Sequence, residues 1–298
     1  MPDKEKQINI GGQAVIEGVV MRGKKTCFMA VRKPDSTIEI VEQKVSGDDK
    51  NKFLKLPVVR GVVSFIESLA VGIKTIMQSA EISGMESEDD KIPEAMFVVT
   101  AVVAVAFSIV LFMLLPVWLG SLLNKFLRAG TMLLSVIEGV TRIALFLFYV
   151  FLISRMKDIK RVFEYHGAEH KTINCYEAGG ELTPETVRGY SRLHKRCGTS
   201  FLLIVMIISM LVFMFLRTET VWLRVVSRVL LIPVIAGLSY EVIKWAGRND
   251  SAFVRAISFP GMALQKFTTR EPDDSQIEIA IAAASEVLAR DFPEDNAR

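Results

Sequence analysis

Apolar and polar positions divide the chain into long uncharged runs and shorter patterned stretches. The uncharged runs predict membrane-spanning helices, because a helix rises about 1.5 Å per residue and a bilayer core is about 30 Å thick. Four spans are predicted, at residues 95–119, 131–153, 201–216 and 221–245. The fourth is the least regular, since Arg224, Arg228 and Pro233 interrupt it.

The N-terminal stretch has short apolar runs that favour strands over helices. Residues 27–31 and 38–45 are strand-like, and the Pro-Asp-Ser sequence at 34–36 has the chemistry of a turn. Glycines within 11–23 predict a tight β-turn scaffold or a close backbone approach, and without a strand–GxGxxG–helix context they do not indicate nucleotide binding. Residues 8–45 are therefore predicted to form a small β-rich segment.

A period of 3.6 residues marks 61–82 as an amphipathic helix. Such a helix either lies in the headgroup region of a bilayer or packs on the membrane helices. The acidic run at 86–91 predicts a solvated linker after it. The apolar stripe of the helix consists of Val62, Ile66, Leu69, Ile73, Ile76 and Ala80.

Two further helical patterns lie in the C-terminal tail. The first covers 251–257 and is predicted to end before Pro260 and Gly261. Asp273 and Asp274 then predict an N-cap, followed by an amphipathic helix that we expect to fold back on the cytoplasmic part. The apolar face of that helix consists of Ile277, Ala280, Ile281, Ala284, Val287 and Leu288.

Composition agrees with a membrane protein. Hydrophobic residues make up 51% of 298, and the mean hydropathy of +0.35 is too high for an ordinary soluble protein with one core. The three cysteines fit a reducing compartment better than a disulfide framework. The polar sequence MPDKEKQINI has no apolar core, so no cleavable signal peptide is expected.

Basic residues beside the spans predict the orientation. They follow the second span, precede the third and follow the fourth: Arg155, Lys157, Lys160, Arg161, Lys195, Arg196, Lys244 and Arg248. The positive-inside rule places these clusters, and with them both termini, in the cytoplasm. Such clusters attract anionic lipid headgroups and could equally meet ribosomal RNA. Topology alone explains them and the net charge is only +3, so no nucleic-acid partner is predicted.

The second predicted span contains two charged residues, Glu138 and Arg142. They are four positions apart on one helix face, so we expect them to neutralise each other. A charged side chain inside a span usually faces protein or water. The pair is therefore either a structural contact or part of a functional site.

The densest chemistry lies in the loop at 154–200, which contains all three histidines. His166, Glu169 and His170 form an HxxEH motif. On a helix, positions i and i+4 present both imidazoles to one metal ion. The motif is the inverted form of a zinc-protease signature whose glutamate is the general base, so Glu169 is the candidate catalytic residue.

A metal site needs further ligands, and zinc favours nitrogen, sulfur and carboxylate donors. His194 and Cys197, three positions apart, are the candidates to complete the set with His166 and His170. The expected cofactor is a divalent metal, with zinc first and iron or manganese behind it. Thr199 and Ser200 are instead predicted to cap the third span.

Three alternatives to an open catalytic metal site remain. The four ligands could close a structural zinc site with no open position. The histidines and acids could form a hydrogen-bonded network that docks the loop without any metal. Cys197 could also be a covalent nucleophile next to His194.

Four long segments of the chain resemble a known family. They are GGQAVIEGVVMRG (11–23), YHGAEHKTINCYEAGGELT (165–183), LHKRCGTSF (193–201) and PGMALQKFTTREPDDSQIEIAI (260–281). On these segments the chain resembles the DUF1385 (YqhQ-like) family of bacterial membrane proteins. The resemblance implies a multi-pass protein of the bacterial cytoplasmic membrane, of a kind labelled a predicted metal-dependent enzyme. It implies no substrate.

The predicted fold class is mainly α, a polytopic helical membrane protein with a small N-terminal β segment and cytoplasmic helices. The predicted function is a metal-dependent hydrolase at the cytoplasmic face, acting on a peptide segment or lipid headgroup near the interface. The alternative is a non-catalytic accessory subunit that binds other membrane proteins during insertion or assembly. The predicted segments are 1–52 (β-rich), 53–93 (amphipathic helix and linker), 94–153 (first hairpin), 154–200 (His/Cys loop), 201–246 (second hairpin) and 247–298 (helical tail).

Overall fold

A computed structural model describes residues 10–44, 56, 58–85, 94–128, 130–195, 197–216, 220–246, 249 and 251–293. The protein is mainly helical, with one small antiparallel sheet near the N-terminus, as the sequence predicts. The predicted acidic linker at 86–91 lies outside the described residues, as do the outer ends of the predicted β-rich segment.

Four antiparallel strands form an up-and-down sheet in chain order. They are β1 (Gly11–Val15), β2 (Gly18–Arg22), β3 (Cys27–Arg32) and β4 (Ile38–Glu42). The register pairs Gly11 with Arg22 and closes the first hairpin at Ile16 and Glu17. Glu17 has a φ of 50°, the left-handed conformation that a two-residue hairpin turn requires. The β-turn scaffold predicted for the glycine-rich stretch is thereby confirmed.

Ten helices occupy the rest of the described chain. They are α1 (Val59–Ile82), α2 (Glu94–Ile109), α3 (Leu115–Leu127), α4 (Thr131–Ile153), α5 (Lys157–Glu177), α6 (Pro184–Arg188), α7 (Gly198–Phe215), α8 (Val221–Ala246), α9 (Ala252–Thr268) and α10 (Asp274–Asp291). A π-helical turn, Val110–Leu114, joins α2 to α3.

Among the described residues, three helical segments are long and apolar enough to cross a membrane: Val99–Leu127, Thr131–Ile153 and Trp222–Ala246. The predicted number of four spans is corrected, because the apolar part of α7, Leu202–Phe215, is shorter. Fourteen residues at about 1.5 Å each reach about 21 Å, against a bilayer core of about 30 Å. The helices are compatible with a membrane protein, and the irregular fourth run is one of the three.

The candidate spans and the helices that pack with them form the apolar layer. It consists of α2, α3, α4, α7, α8 and α9. Helix α7 packs against α4, α8 and α9, and α3 packs against α4. The predicted helix end before Pro260 is wrong, since α9 continues to Thr268. A proline removes one backbone hydrogen bond from a helix, and the packing of α9 on α7 compensates for that loss.

Helix α1 connects the apolar layer to the sheet. Gly61 lies against Gly237 of α8, where an added Cβ would come within 2.9 Å of the Gly237 Cα atom. Further along α1, the Ser79 hydroxyl accepts a hydrogen bond from the Ile16 amide at 3.1 Å. The predicted helix is confirmed, but much of its apolar stripe stays exposed, at Ile66, Leu69, Ile73 and Ile76.

The charged residues of the apolar layer do not pair as predicted. Glu138 accepts hydrogen bonds from Arg224, at 2.8 Å, and from Arg228, both on α8. Arg142 instead donates to the Phe112 carbonyl oxygen at 2.8 Å, in the π-helical turn. The i, i+4 spacing brought Glu138 and Arg142 to one face, but the neighbouring helices supplied their partners.

The second layer consists of the sheet with α5, α6 and α10, and it contains the largest buried apolar cluster of the described residues. Asp273 caps α10 and forms a capping box with Gln276, which confirms the predicted N-cap. Helix α10 packs on α5, β2 and β3, as expected for a tail that folds back. Its predicted apolar face is buried at Ile277, Ala280, Ala284, Val287 and Leu288.

Candidate metal centre

Helix α5 positions the HxxEH residues. His166, Glu169 and His170 occupy one face of it, and the two imidazole centroids are 4.4 Å apart. Gly167 lets the tail approach this helix, because an added Cβ would lie 2.0 Å from the Arg270 carbonyl oxygen. The amide of Arg270 also donates to the Phe163 carbonyl at 2.8 Å. The chain after α9 is thus held directly against the motif.

Backbone carbonyl oxygens orient both imidazoles of the motif. The Nδ1 atom of His166 lies 2.8 Å from the Thr268 carbonyl oxygen, and Nδ1 of His170 lies 2.6 Å from that of Arg192. A carbonyl oxygen only accepts, so each Nδ1 carries a proton, and in the neutral ring Nε2 is then the nitrogen that keeps its lone pair. This is the usual arrangement of a metal-binding histidine, whose second nitrogen is tied to a carbonyl or carboxylate.

Cys197 is the third member of the group. Its Sγ atom lies 3.3 Å from Nε2 of His166, and it caps α7 by accepting from the Thr199 amide at 3.4 Å. The capping role predicted for Thr199 and Ser200 is therefore wrong, because the thiol takes it. Ligand atoms of His166, His170 and Cys197 all lie within 4.8 Å of one another, close enough to hold one metal ion.

His194 lies beside this group with its ring nitrogen turned to another partner. Its ring centroid is 5.7 Å from that of His170, and its Nε2 atom lies 3.4 Å from a carboxylate oxygen of Glu177. The side-chain amide of Gln265 bonds both the amide and the carbonyl of His194, each at 2.8 Å. Gln265 is a site residue that the spacing of histidines and cysteines did not reveal.

Glu169 is buried between α5 and β1. One of its carboxylate oxygens lies 3.9 Å from Nε2 of His166. The backbone of Gly12 hydrogen-bonds its carboxylate, and an added Cβ at Gly12 would come within 2.7 Å of its Cγ atom. Of the two glycines at the start of β1, Gly12 is therefore the one that allows the backbone to approach Glu169 closely. Their sequence predicted a close backbone approach but not its partner.

Burial sets the protonation of the site. It raises the pKa of Glu169 to about 8, an effect that Cys197 reinforces and that His166 and the Gly12 amide oppose. Burial also lowers the pKa of His170 to about 2 and that of His194 to about 4. Both imidazoles are therefore neutral at pH 7, the form that binds a metal ion. Glu169 is poised to hold or release a proton near neutrality.

A cavity of about 680 Å³ adjoins the group. It lies between the sheet, α1, α5 and the start of α7. Its lining includes Gly12, Gln13, Ser68, Val71, His166, Glu169, Cys197 and Thr199. Two imidazole nitrogens and one thiolate are a typical partial ligand set for zinc. The cavity would give a small molecule or a peptide access to any fourth coordination position.

Comparison with known proteins shows which family and which relative the chain is similar to. A family model described as "Protein of unknown function (DUF1385)" matches residues 56–290, which include every candidate ligand. The chain is 39% identical over 292 residues to the uncharacterized protein YqhQ of Bacillus subtilis (strain 168), covering 93% of this chain and 92% of that protein. No solved structure matches the chain.

Proposed function

The chain belongs to the DUF1385 family, and we propose that it is a membrane-bound, metal-dependent hydrolase whose site faces the cytoplasm. The observation that carries the proposal is the convergence of three ligand atoms within 4.8 Å, next to a buried carboxyl group and a cavity. Structural zinc sites usually have four protein ligands, whereas catalytic sites leave one position open. A three-residue group beside a cavity fits the catalytic kind.

His166, His170 and Cys197 would hold the ion, and zinc suits this donor set best. The ion would supply Lewis acidity, which polarises a carbonyl or phosphoryl oxygen and activates water at neutral pH. Thr268 and Arg192 would keep the two imidazoles in the correct tautomer through their carbonyl oxygens.

Glu169 would act as the general base. In hydrolysis it would take a proton from the attacking water and return it to the leaving group as the scissile bond breaks. Its raised pKa, about 8, suits such a proton shuttle, although a bound cation would lower that pKa. The amide of Gly12 would keep the carboxyl group facing the cavity.

The substrate would come from the membrane interface. Ser68 and Val71 of α1 line the cavity, and the same helix packs on the membrane-compatible helix α8. A peptide segment or a lipid headgroup at that interface could therefore reach the site along α1. The basic residues after α4 and before α7 favour a cytoplasmic location for it.

Metal analysis of the purified protein tests the site. We expect about one zinc ion per chain in the wild type, lost in the double variant His166→Ala/His170→Ala and in Cys197→Ala. Cys175→Ala is the matched control, because that buried thiol donates to the Glu181 carbonyl outside the group. Equal metal content in the wild type and the double variant would refute a site at these residues.

The variant Glu169→Gln tests catalysis separately. A general base predicts that metal content stays while complementation of a deletion strain fails. Glu164→Gln, on the same helix and paired with Lys160 at 3.7 Å, is the control and should complement. If Glu169→Gln complements fully, the protein is not a hydrolase of this kind.

A second function, that of a non-catalytic accessory subunit for other membrane proteins, is favoured by the exposed stripe of α1. Ile66, Leu69 and Ile73 are 59%, 50% and 50% exposed. Purification in mild detergent should then recover a stoichiometric membrane partner that is lost in Leu69→Ser. Retention of that partner by the variant would exclude α1 as its binding surface.

A further inference from the structure

A cluster of charged side chains is buried in the apolar layer, away from the candidate metal centre. Glu138 is 1% exposed and Arg228 is 4% exposed, and their side chains form an ion pair. Arg224 binds the other carboxylate oxygen of Glu138 at 2.8 Å. The carboxylate of Glu138 thus pairs with two guanidinium groups.

A third guanidinium group adjoins this pair. Arg142 donates to the Ser209 hydroxyl at 3.2 Å, in addition to the Phe112 carbonyl. The guanidinium carbons of Arg142 and Arg228 lie over the same ring, that of Phe213, at 5.6 and 5.0 Å from its centroid. Three positive charges and one negative charge therefore meet between α4, α7 and α8. Within the described residues of this cluster, two positive charges are in excess.

Donor atoms of the cluster also remain available. Nη1 of Arg228 and Nε of Arg224 are buried and have no acceptor among the described residues. Burying a charged donor without an acceptor is costly, and the cost is greatest in an apolar layer. Charged residues inside membrane segments usually mark a binding site or an ion path for this reason. The excess positive charge and the available donors both favour the binding of an anion.

We propose that Arg142, Arg224 and Arg228 form a binding site for a phosphate group, with Glu138 holding two of the guanidinium groups in place. A guanidinium group matches phosphate oxygens through paired donors, and a phosphate would offset the excess charge. The site lies at the end of the apolar layer that is farther from the candidate metal centre. Glu138 and Arg228 are each seven residues, or about 10 Å, from the start of their helices.

This proposal does not depend on the hydrolase proposal, since the two sites share no residue. The phosphate could belong to a lipid headgroup or be free inorganic phosphate. Protein purified in mild detergent and phosphate-free buffer would be analysed for phosphorus per chain, after extraction into an organic and an aqueous phase. Phosphorus in the organic phase identifies lipid, and phosphorus in the aqueous phase identifies free phosphate.

We expect about one phosphorus per chain more in the wild type than in Arg142→Gln, a variant that leaves the pairs of Glu138 intact. Arg228→Gln should show the same loss. Arg155→Gln is the control, because Arg155 stacks on Phe151 at 4.1 Å just after α4, at the other end of the layer. Wild-type phosphorus equal to that of Arg142→Gln, or an equal loss in the control, would overturn the proposal and leave a purely structural cluster.

Discussion

The candidate metal centre and the arginine cluster (Arg142, Arg224, Arg228 and Glu138) hold their buried polar groups in opposite ways. In the candidate metal centre, burial lowers the pKa of His170 to about 2 and so keeps that imidazole neutral, and backbone carbonyls orient the rings of His166 and His170. In the arginine cluster, the groups are strong donors, and two of them, Arg224 and Arg228, are held around a single carboxylate. Convergent lone pairs attract a cation, whereas convergent donors attract an anion. We therefore expect the kind of atom left unpaired, a lone pair or a donor, to decide which ligand each of the two proposed sites binds.

The largest expected effect belongs to the arginine cluster. Glu138→Gln would leave two buried guanidinium groups without their counter-charge, and removing one partner of a buried pair costs about 3–5 kcal/mol. We expect a clearly lowered thermal midpoint in detergent. Glu241→Gln is the matched control, because its pair with Arg60, at 2.5 Å, is partly exposed and should change little. Similar midpoints for the two variants would show that Glu138 does not hold the cluster together.

A smaller effect is expected in the metal centre, from Gly12→Ala. The new Cβ would press on Glu169, and overpacking of a buried site costs about 1–3 kcal/mol. The matched control is Gly11→Ala, since an added Cβ there meets nothing within 4 Å. Thermal unfolding measures the stability difference, and complementation reports whether Glu169 keeps its place. Equal behaviour of the two variants would contradict the close approach of β1 to Glu169.

The smallest expected effect is the contribution of His194 to the pH dependence of the free energy of unfolding. The pKa of this histidine is lowered to about 4 by burial, against 6.5 for the unfolded chain, so the unfolded state binds more protons between these values. Wild-type stability should fall as the pH drops below about 6.5, relative to His194→Gln. At pH 5 the loss amounts to about 1–2 kcal/mol in metal-free protein.

Thermal unfolding of chelator-treated wild type and His194→Gln between pH 7 and 5 measures this difference. The contact of His194 with Glu177, at 3.4 Å, would raise the pKa instead if the two formed an ion pair. The wild type would then gain stability on acidification. The sign of the change therefore decides whether His194 is a neutral imidazole, available to a metal, or an ion-paired one.

Sequence patterns were enough to predict most of the helices and the strands β3 and β4. The bounds of α4, the turn chemistry of the sheet and the cap of α10 followed from local preferences, which depend on neighbouring residues only. The i, i+4 spacing of His166 and His170 likewise predicted one shared helical face. The end placed before Pro260 failed because packing outweighed a local preference.

By itself, therefore, the sequence determined most of the helices, the three segments long and apolar enough to cross a membrane, and the side chains that could bind a metal. Only the tertiary structure decided the partners. In that structure, Glu138 pairs with arginines of α8 instead of Arg142, His194 lies against Glu177, and the Gly12 backbone hydrogen-bonds Glu169. Those contacts join residues far apart in the chain. Hydrogen-bond and ion-pair partners are set by distance in space, which local periodicity does not encode.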